Sequence, residues 1–134
     1  MRNDNKGFTL IELLAVIIIL AIVALITTPI ILNIVNSSRE SAAEDKAWGY
    51  IDGIRLAYTQ DQMNDYPEDL PITKKAAVKG TKIGEQTIQV SGDYPTGGTF
   101  SISKDGEITV TAIVFGNYKC TGGGSSMSCP RTAK

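Results

Sequence analysis

From Leu13 to Ile26 the chain reads LLAVIIILAIVALI, fourteen apolar residues without interruption, and after Thr27, Thr28 and Pro29 it continues IILNIV to Val35. Between Phe8 and Ser38 the one charge is Glu12. As an α-helix, residues 8–35 would extend about 42 Å at about 1.5 Å per residue, and a bilayer core needs only about 20 residues. No polar face recurs along this run. A helix that is apolar all round belongs in lipid or inside a bundle. Arg2 and Lys6 outweigh Asp4 in the segment before it. The positive-inside rule therefore keeps the N-terminus in the cytoplasm and sends the rest outward.

Three kinds of segment fit an apolar run with a basic start. A secretory signal peptide has an apolar stretch of about 7–15 residues, shorter than this one. A plain membrane anchor fits the length but gives no reason for Glu12, since a charge within a spanning helix costs roughly 2.5–3.5 kcal/mol on insertion scales. Glu12 as a tolerated acid near the headgroups or at a helix N-terminus is the simplest account; there the helix dipole favours it by under about 1 kcal/mol.

The third kind is carried by the residues around Glu12. Lys6-Gly7-Phe8-Thr9-Leu10-Ile11-Glu12-Leu13-Leu14 resembles the processing signal of type IV prepilins: a short basic leader ending in glycine, an aromatic or apolar first mature residue, and a glutamate at the fifth mature position. The resemblance is close from Lys6 to Val35 and beyond that concerns layout alone. It implies cleavage between Gly7 and Phe8 by a prepilin peptidase, N-methylation of Phe8, and a mature chain Phe8–Lys134 of 127 residues with 11 basic and 13 acidic side chains. It also assigns Glu12 to filament assembly, pairing with the Phe8 amine of another subunit, and makes Pro29 a helix break on packing into a filament. An ordinary kink of a membrane helix explains Pro29 as well. Ala21 stands where many relatives carry glycine.

Residues 36–134 are mostly polar. The helix is expected to continue to about Gln60, because Ala43, Ala47, Tyr50, Ile51, Ile54, Ala57 and Tyr58 recur at spacings of three and four. Arg39, Glu40, Glu44, Asp45, Lys46, Asp52, Arg55 and Asp61 fill the other side, and Trp48 is placed in the core. Gly49 and Gly53 each weaken the helix by about 1 kcal/mol relative to alanine. Asp61–Pro71 reads as a surface loop; Lys74, Lys75, Lys79 and Lys82 as a solvated basic patch. Strand patterns follow at Thr87–Val90, Phe100–Ile102 and Ile108–Val114, with Lys104-Asp105-Gly106 as a hairpin turn. In the last strand the apolar row is Ile108, Val110, Ala112 and Val114.

These readings combine into an α+β fold: a long N-terminal α-helix, hydrophobic in its first half and amphipathic in its second, packed on a small antiparallel β-sheet head. The division is a leader at 1–7, a transmembrane and assembly helix at 8–35, and a soluble head at 36–134. Cys120 and Cys129 bracket a flexible glycine-serine segment. Outside the cytoplasm such a pair persists as a disulfide, and many pilins have a C-terminal disulfide-bounded loop; the alternative is two free thiols. The spacing is not C-x-x-C, so redox catalysis is disfavoured.

Several functions are disfavoured by composition. The chain has no histidine, the commonest general base and metal ligand, and two cysteines are too few for a zinc site on their own. A net charge of −1 gives no electrostatic footprint for nucleic acid. No cofactor, metal or catalytic constellation is expected. The reading is a structural pilus subunit used in adhesion or twitching motility, whose partners are its own copies, prepilin peptidase, the pilus assembly machinery and, before assembly, membrane lipid. It would reside in the membrane as a single-pass protein with a cytoplasmic N-terminus, then on the cell surface. The alternatives are a pseudopilin of a type II secretion or DNA-uptake system and a single-span anchored binding module that never polymerises.

Overall fold

The computed structural model describes residues 7–76 and 79–132. The leader charges Arg2, Asp4 and Lys6 lie outside the described residues. Two compact units divide between Ser37 and Ser38. One helix, α1 (Leu10–Gln62), contributes to both, and seven strands follow: β1 (Ile72–Lys75), β2 (Lys82–Ile83), β3 (Gln86–Thr87), β4 (Thr99–Ile102), β5 (Ile108–Phe115), β6 (Tyr118–Gly123) and β7 (Ser126–Ser128). The architecture is α+β, a long N-terminal helix with a small antiparallel sheet.

In the first unit the apolar part of α1 is exposed along its length, and its most hydrophobic window is uncovered. It is long and apolar enough to cross a membrane. In the single chain the helix is continuous through Pro29. Proline deprives the Leu25 carbonyl of its usual donor. The Thr27 and Thr28 hydroxyls just before it donate back to the carbonyls of Val23 and Ala24, at 2.9 and 2.5 Å, which holds this turn in helical form.

In the second unit β1-β4-β5-β6-β7 form one antiparallel sheet in that order, and β2-β3 a separate two-stranded ribbon. The helix stripe is where the three-four spacing put it: Ala43, Ala47, Tyr50, Ile51, Ile54 and Ala57 are all buried. They share a core with Ile72, Ile83, Ile88, Phe100, Ile102, Ile108, Val110, Ile113 and Phe115. Trp48 and Tyr58 are half-buried against its edge. Tyr50 meets Phe100 edge to face, ring centroids 6.2 Å apart. Burial, with Tyr94 nearby, pushes the Tyr50 hydroxyl up to about 12, and this hydroxyl has no hydrogen-bond partner among the described residues.

Four local features depart from the sequence pattern. The buried row of β5 is Ile108, Val110, Ile113 and Phe115, because a bulge between Val110 and Ile113 shifts the register and moves Ala112 and Val114 off the core face. Ala112 has φ of 52° there, and the Thr121 hydroxyl accepts its amide hydrogen at 3.0 Å. The Thr87–Val90 strand is reduced to β3, which pairs with β2 across the turn Gly84-Glu85. β1, with Lys74 and Lys75, joins the sheet edge beside β4. The segment between the cysteines is a hairpin, β6 paired to β7 around Gly124-Ser125, and not a flexible loop.

Candidate functional site

The helix begins just after the expected cleavage point, and its start is determined locally. Thr9 is the N-cap: its Oγ1 accepts the Glu12 amide hydrogen at 3.2 Å and its carbonyl accepts that of Leu13 at 3.1 Å. Thr9-x-x-Glu12 has the spacing of a capping box, a signal readable in the sequence and independent of any processing motif. Gly7 and Phe8 precede the helix in non-helical conformation, Phe8 being 81% exposed. Among the described residues nothing lies within 4 Å of the position a Gly7 Cβ would take.

The Glu12 carboxylate, on the first turn of α1, forms no hydrogen bond or ion pair with any described residue. Around it Leu10, Ile11, Leu13 and Leu14 are exposed. The site thus presents a non-helical backbone at the expected cut, an N-capped helix start, and a carboxylate one turn on, at the head of an uncovered apolar surface. Chemically it can offer a charged acceptor beside apolar side chains.

The remaining expected site residues lie in the second unit. Cys120 and Cys129 are both fully buried and joined Sγ to Sγ at 1.97 Å. The bond links β6 to the residue that follows β7 by one step. Neither sulfur is accessible, which suits a staple and not a reactive pair.

Sequence reasoning placed Asp61 on the solvent side, but it is 1% exposed. Its Oδ2 accepts the Glu68 amide hydrogen at 2.8 Å, so the carboxylate closes the end of the helix onto the following loop. Gly84 packs directly on this carboxylate, and its φ of 59° and the close approach both require glycine. Glu68 Oε2 accepts from Lys74 Nζ at 2.7 Å and from the Gly84 amide at 2.6 Å, and Lys74 Nζ also donates to the Lys82 carbonyl at 2.6 Å. Burial raises the Glu68 carboxyl, but these two donors and the Lys74 charge outweigh it and hold it below its ordinary range. Lys74 is therefore a structural tie between loop, β1 and ribbon, where the lysine-rich stretch read as a solvated patch. A lone buried acid on a helix cannot be told from an exposed one by spacing; a glycine opening the turn at Gly84 is the nearest signal.

Among the described residues, no group of three or more histidine, cysteine, aspartate or glutamate side chains is placed to hold a metal ion. Comparison with known proteins gives one finding. A family model described as the prokaryotic N-terminal methylation motif matches residues 2–28, which include Gly7, Phe8 and Glu12. Neither the curated proteins nor the solved structures yielded a match. The matched motif is the class III signal found on precursors that a prepilin peptidase processes for assembly into filaments.

Proposed function

We propose that this type IV pilin-like prepilin, anchored in the membrane by its apolar N-terminal helix, is a structural subunit of a type IV pilus. It is stored in the bilayer, cut between Gly7 and Phe8, methylated on the Phe8 amine, and polymerised into a filament at the cell surface. The observation that carries this reading is the registered set Gly7, Phe8 and Glu12 within the matched motif, at the head of a helix surface that its own chain leaves uncovered.

The physical logic follows from the charges. Cutting after Gly7 creates an ammonium at Phe8, and both it and the Glu12 carboxylate then lie at the lipid boundary. A carboxylate and an ammonium brought together there attract strongly, and removing one partner of a desolvated pair costs about 3–5 kcal/mol. The pair gives register to helices whose apolar surfaces alone offer little, because lipid tails are as apolar as leucine. Pro29, within a helix that is continuous in the single chain, marks where backbone hydrogen bonding is weakest if packing straightens or opens the helix. The buried disulfide and the polar tie at Asp61 and Glu68 serve a head that works outside the cell.

Cleavage is the first test. Mass spectrometry of sheared surface material is expected to find N-methylated Phe8 as the terminus. Gly7→Val, which adds a branched side chain to a backbone that must enter a protease cleft, is expected to accumulate as full-length membrane-bound precursor. A surface protein that retains Met1, or normal processing of Gly7→Val, would contradict the proposal and favour a plain anchored module.

A further inference from the structure

The head carries two surface features of opposite character near the two ends of the amphipathic part of α1. The first is a cavity of about 220 Å³ whose lining includes Arg39, Ala42, Phe115, Asn117 and Tyr118 and contains no acid. Lys46 also borders it but is held by Asp93 at 2.9 Å. Arg39 makes no ion pair with any described residue and is exposed. The second is the loop after the helix. Tyr66 projects there with 92% of its surface exposed, and Met63, 82% exposed, precedes it. Its charged neighbours Asp65, Asp69 and Glu85 are all exposed acids, and the concavity beside Tyr66 is lined by Asp61, Asp65 and Glu85 with no basic residue.

We infer that these two surfaces are the halves of one contact between copies of this chain: Tyr66 of one copy seats in the Arg39–Phe115–Tyr118 cavity of the next, with Asp65 against Arg39. This rests on the filament reading above and names where one head meets another. The argument is complementarity of charge and form. A large exposed aromatic is the kind of residue that anchors interfaces when a pocket receives it. The receiving pocket is lined by apolar Ala43 and Phe115, both buried, and by the cation Arg39, while the donor is aromatic with an anionic surround. Arg39 and Asp61 are 22 residues apart on one helix, about 33 Å at about 1.5 Å per residue. One chain cannot join its own two surfaces over that separation, so a contact between them is a contact between copies. Such a contact uses two different patches and is heterologous; where its rotation does not close, it propagates as an open filament. The head contact adds a second directional link to the one that the Phe8–Glu12 pair gives the helices.

The test uses the full chain in cells, reading sheared filaments. Tyr66→Ala is expected to reduce filament yield roughly tenfold or more, the scale of an interface anchor, with cleavage at Phe8 unchanged. Arg39→Glu and Asp65→Lys are each expected to reduce yield, and the double variant to recover most of it. A chain carrying both Asn64→Cys, beside Tyr66 in the same concavity, and Asn117→Cys keeps the Tyr66 anchor; oxidised in filaments, it is expected to give a covalent ladder beyond the dimer, since a heterologous contact links copy to copy without end. Normal filaments from Tyr66→Ala, or intact filaments of the double-cysteine chain without a ladder, would overturn the contact while leaving the pilus reading standing. Loss with Arg39→Glu that Asp65→Lys fails to recover would assign Arg39 to lipid headgroups and equally overturn it. Wild-type cells with processed protein but no filaments would remove the pilus reading, and the contact with it.

Discussion

Gly49 and Gly53 are one helical turn apart on α1, and the same substitution at the two is expected to have opposite effects. Replacing an interior helical glycine with alanine removes unfolded-chain freedom and gains about 1 kcal/mol when nothing obstructs the new methyl group. At Gly49 nothing lies within 4 Å of the added Cβ, so Gly49→Ala should stabilise the head by about that amount. At Gly53 the added Cβ would stand 2.6 Å from the Gln89 carbonyl oxygen and 3.4 Å from Val90 Cγ2. The oxygen belongs to backbone that continues from the buried Ile88, so it cannot swing aside as a side chain would. Forcing that segment outward costs typically about 1–3 kcal/mol, which cancels or exceeds the propensity gain. Gly53→Ala should therefore be neutral to about 2 kcal/mol destabilising. Thermal unfolding of the full chain in detergent micelles, followed by near-ultraviolet circular dichroism of Trp48 and the tyrosines, reads both. A domain of about 100 residues shifts about 4–8 °C per kcal/mol, so the two variants should separate by several degrees with Gly49→Ala above wild type. Equal shifts in the same direction would refute the close approach of helix and Gln89 backbone.

The other expectations concern the staple and the tie. Cys120→Ser opens a ten-residue loop, and the chain-entropy relation puts the loss at roughly 2.7 kcal/mol; limited proteolysis should cut the head faster while membrane insertion is unchanged, and a free-thiol assay finding two reactive cysteines in the exported wild-type protein would remove the premise. Glu68 has a lowered folded-state pKa, so its contribution is present above the ordinary glutamate range near about 4.3 and is lost as pH falls through the folded value. Glu68→Gln should flatten that acid limb in denaturation curves taken between neutral pH and strong acid, and an unchanged acid limb would show that the Lys74 and Gly84 bonds do not distinguish the charged form.

What could be read from residues alone was whatever is contiguous or periodic. The processing signal is nine adjacent residues, the apolar run is long enough to span a bilayer by count alone, and the helix stripe from Ala43 to Ala57 repeats at the helical period. Phe100 and Ile102, alternating with serines, are buried as that alternation requires. The departures depend on partners outside the local pattern or on elements too short to show one. The bulge at Ala112 exists because the Thr121 hydroxyl and β6 pairing stabilise it, and a one-residue shift sends every later side chain to the other face. Asp61 is buried because the Glu68 amide and Gly84 meet it. β2 and β3 have two residues each, too short for alternation to register. Gly53 read as a weakness of the helix, and its close neighbour Gln89 lies 36 positions away. Thr9 escaped notice although its T-x-x-E spacing to Glu12 is local, because the processing motif already accounted for the same residues.

Glu12 carries the central claim, and it has two accounts with different consequences. Thr9 already caps the helix through the Glu12 amide, so a purely local role leaves the carboxylate worth under about 1 kcal/mol at the N-terminus. On that account Glu12→Ala is nearly silent. On the assembly account the same change leaves the Phe8 ammonium of the neighbouring subunit unpaired in an apolar setting, at about 3–5 kcal/mol per contact, a factor of hundreds or more in assembly. The decisive measurement compares sheared surface fractions and membranes from wild-type and Glu12→Ala cells. The account predicts a cleaved, stable, membrane-resident variant that yields few or no filaments. Filaments from Glu12→Ala at wild-type yield would contradict it.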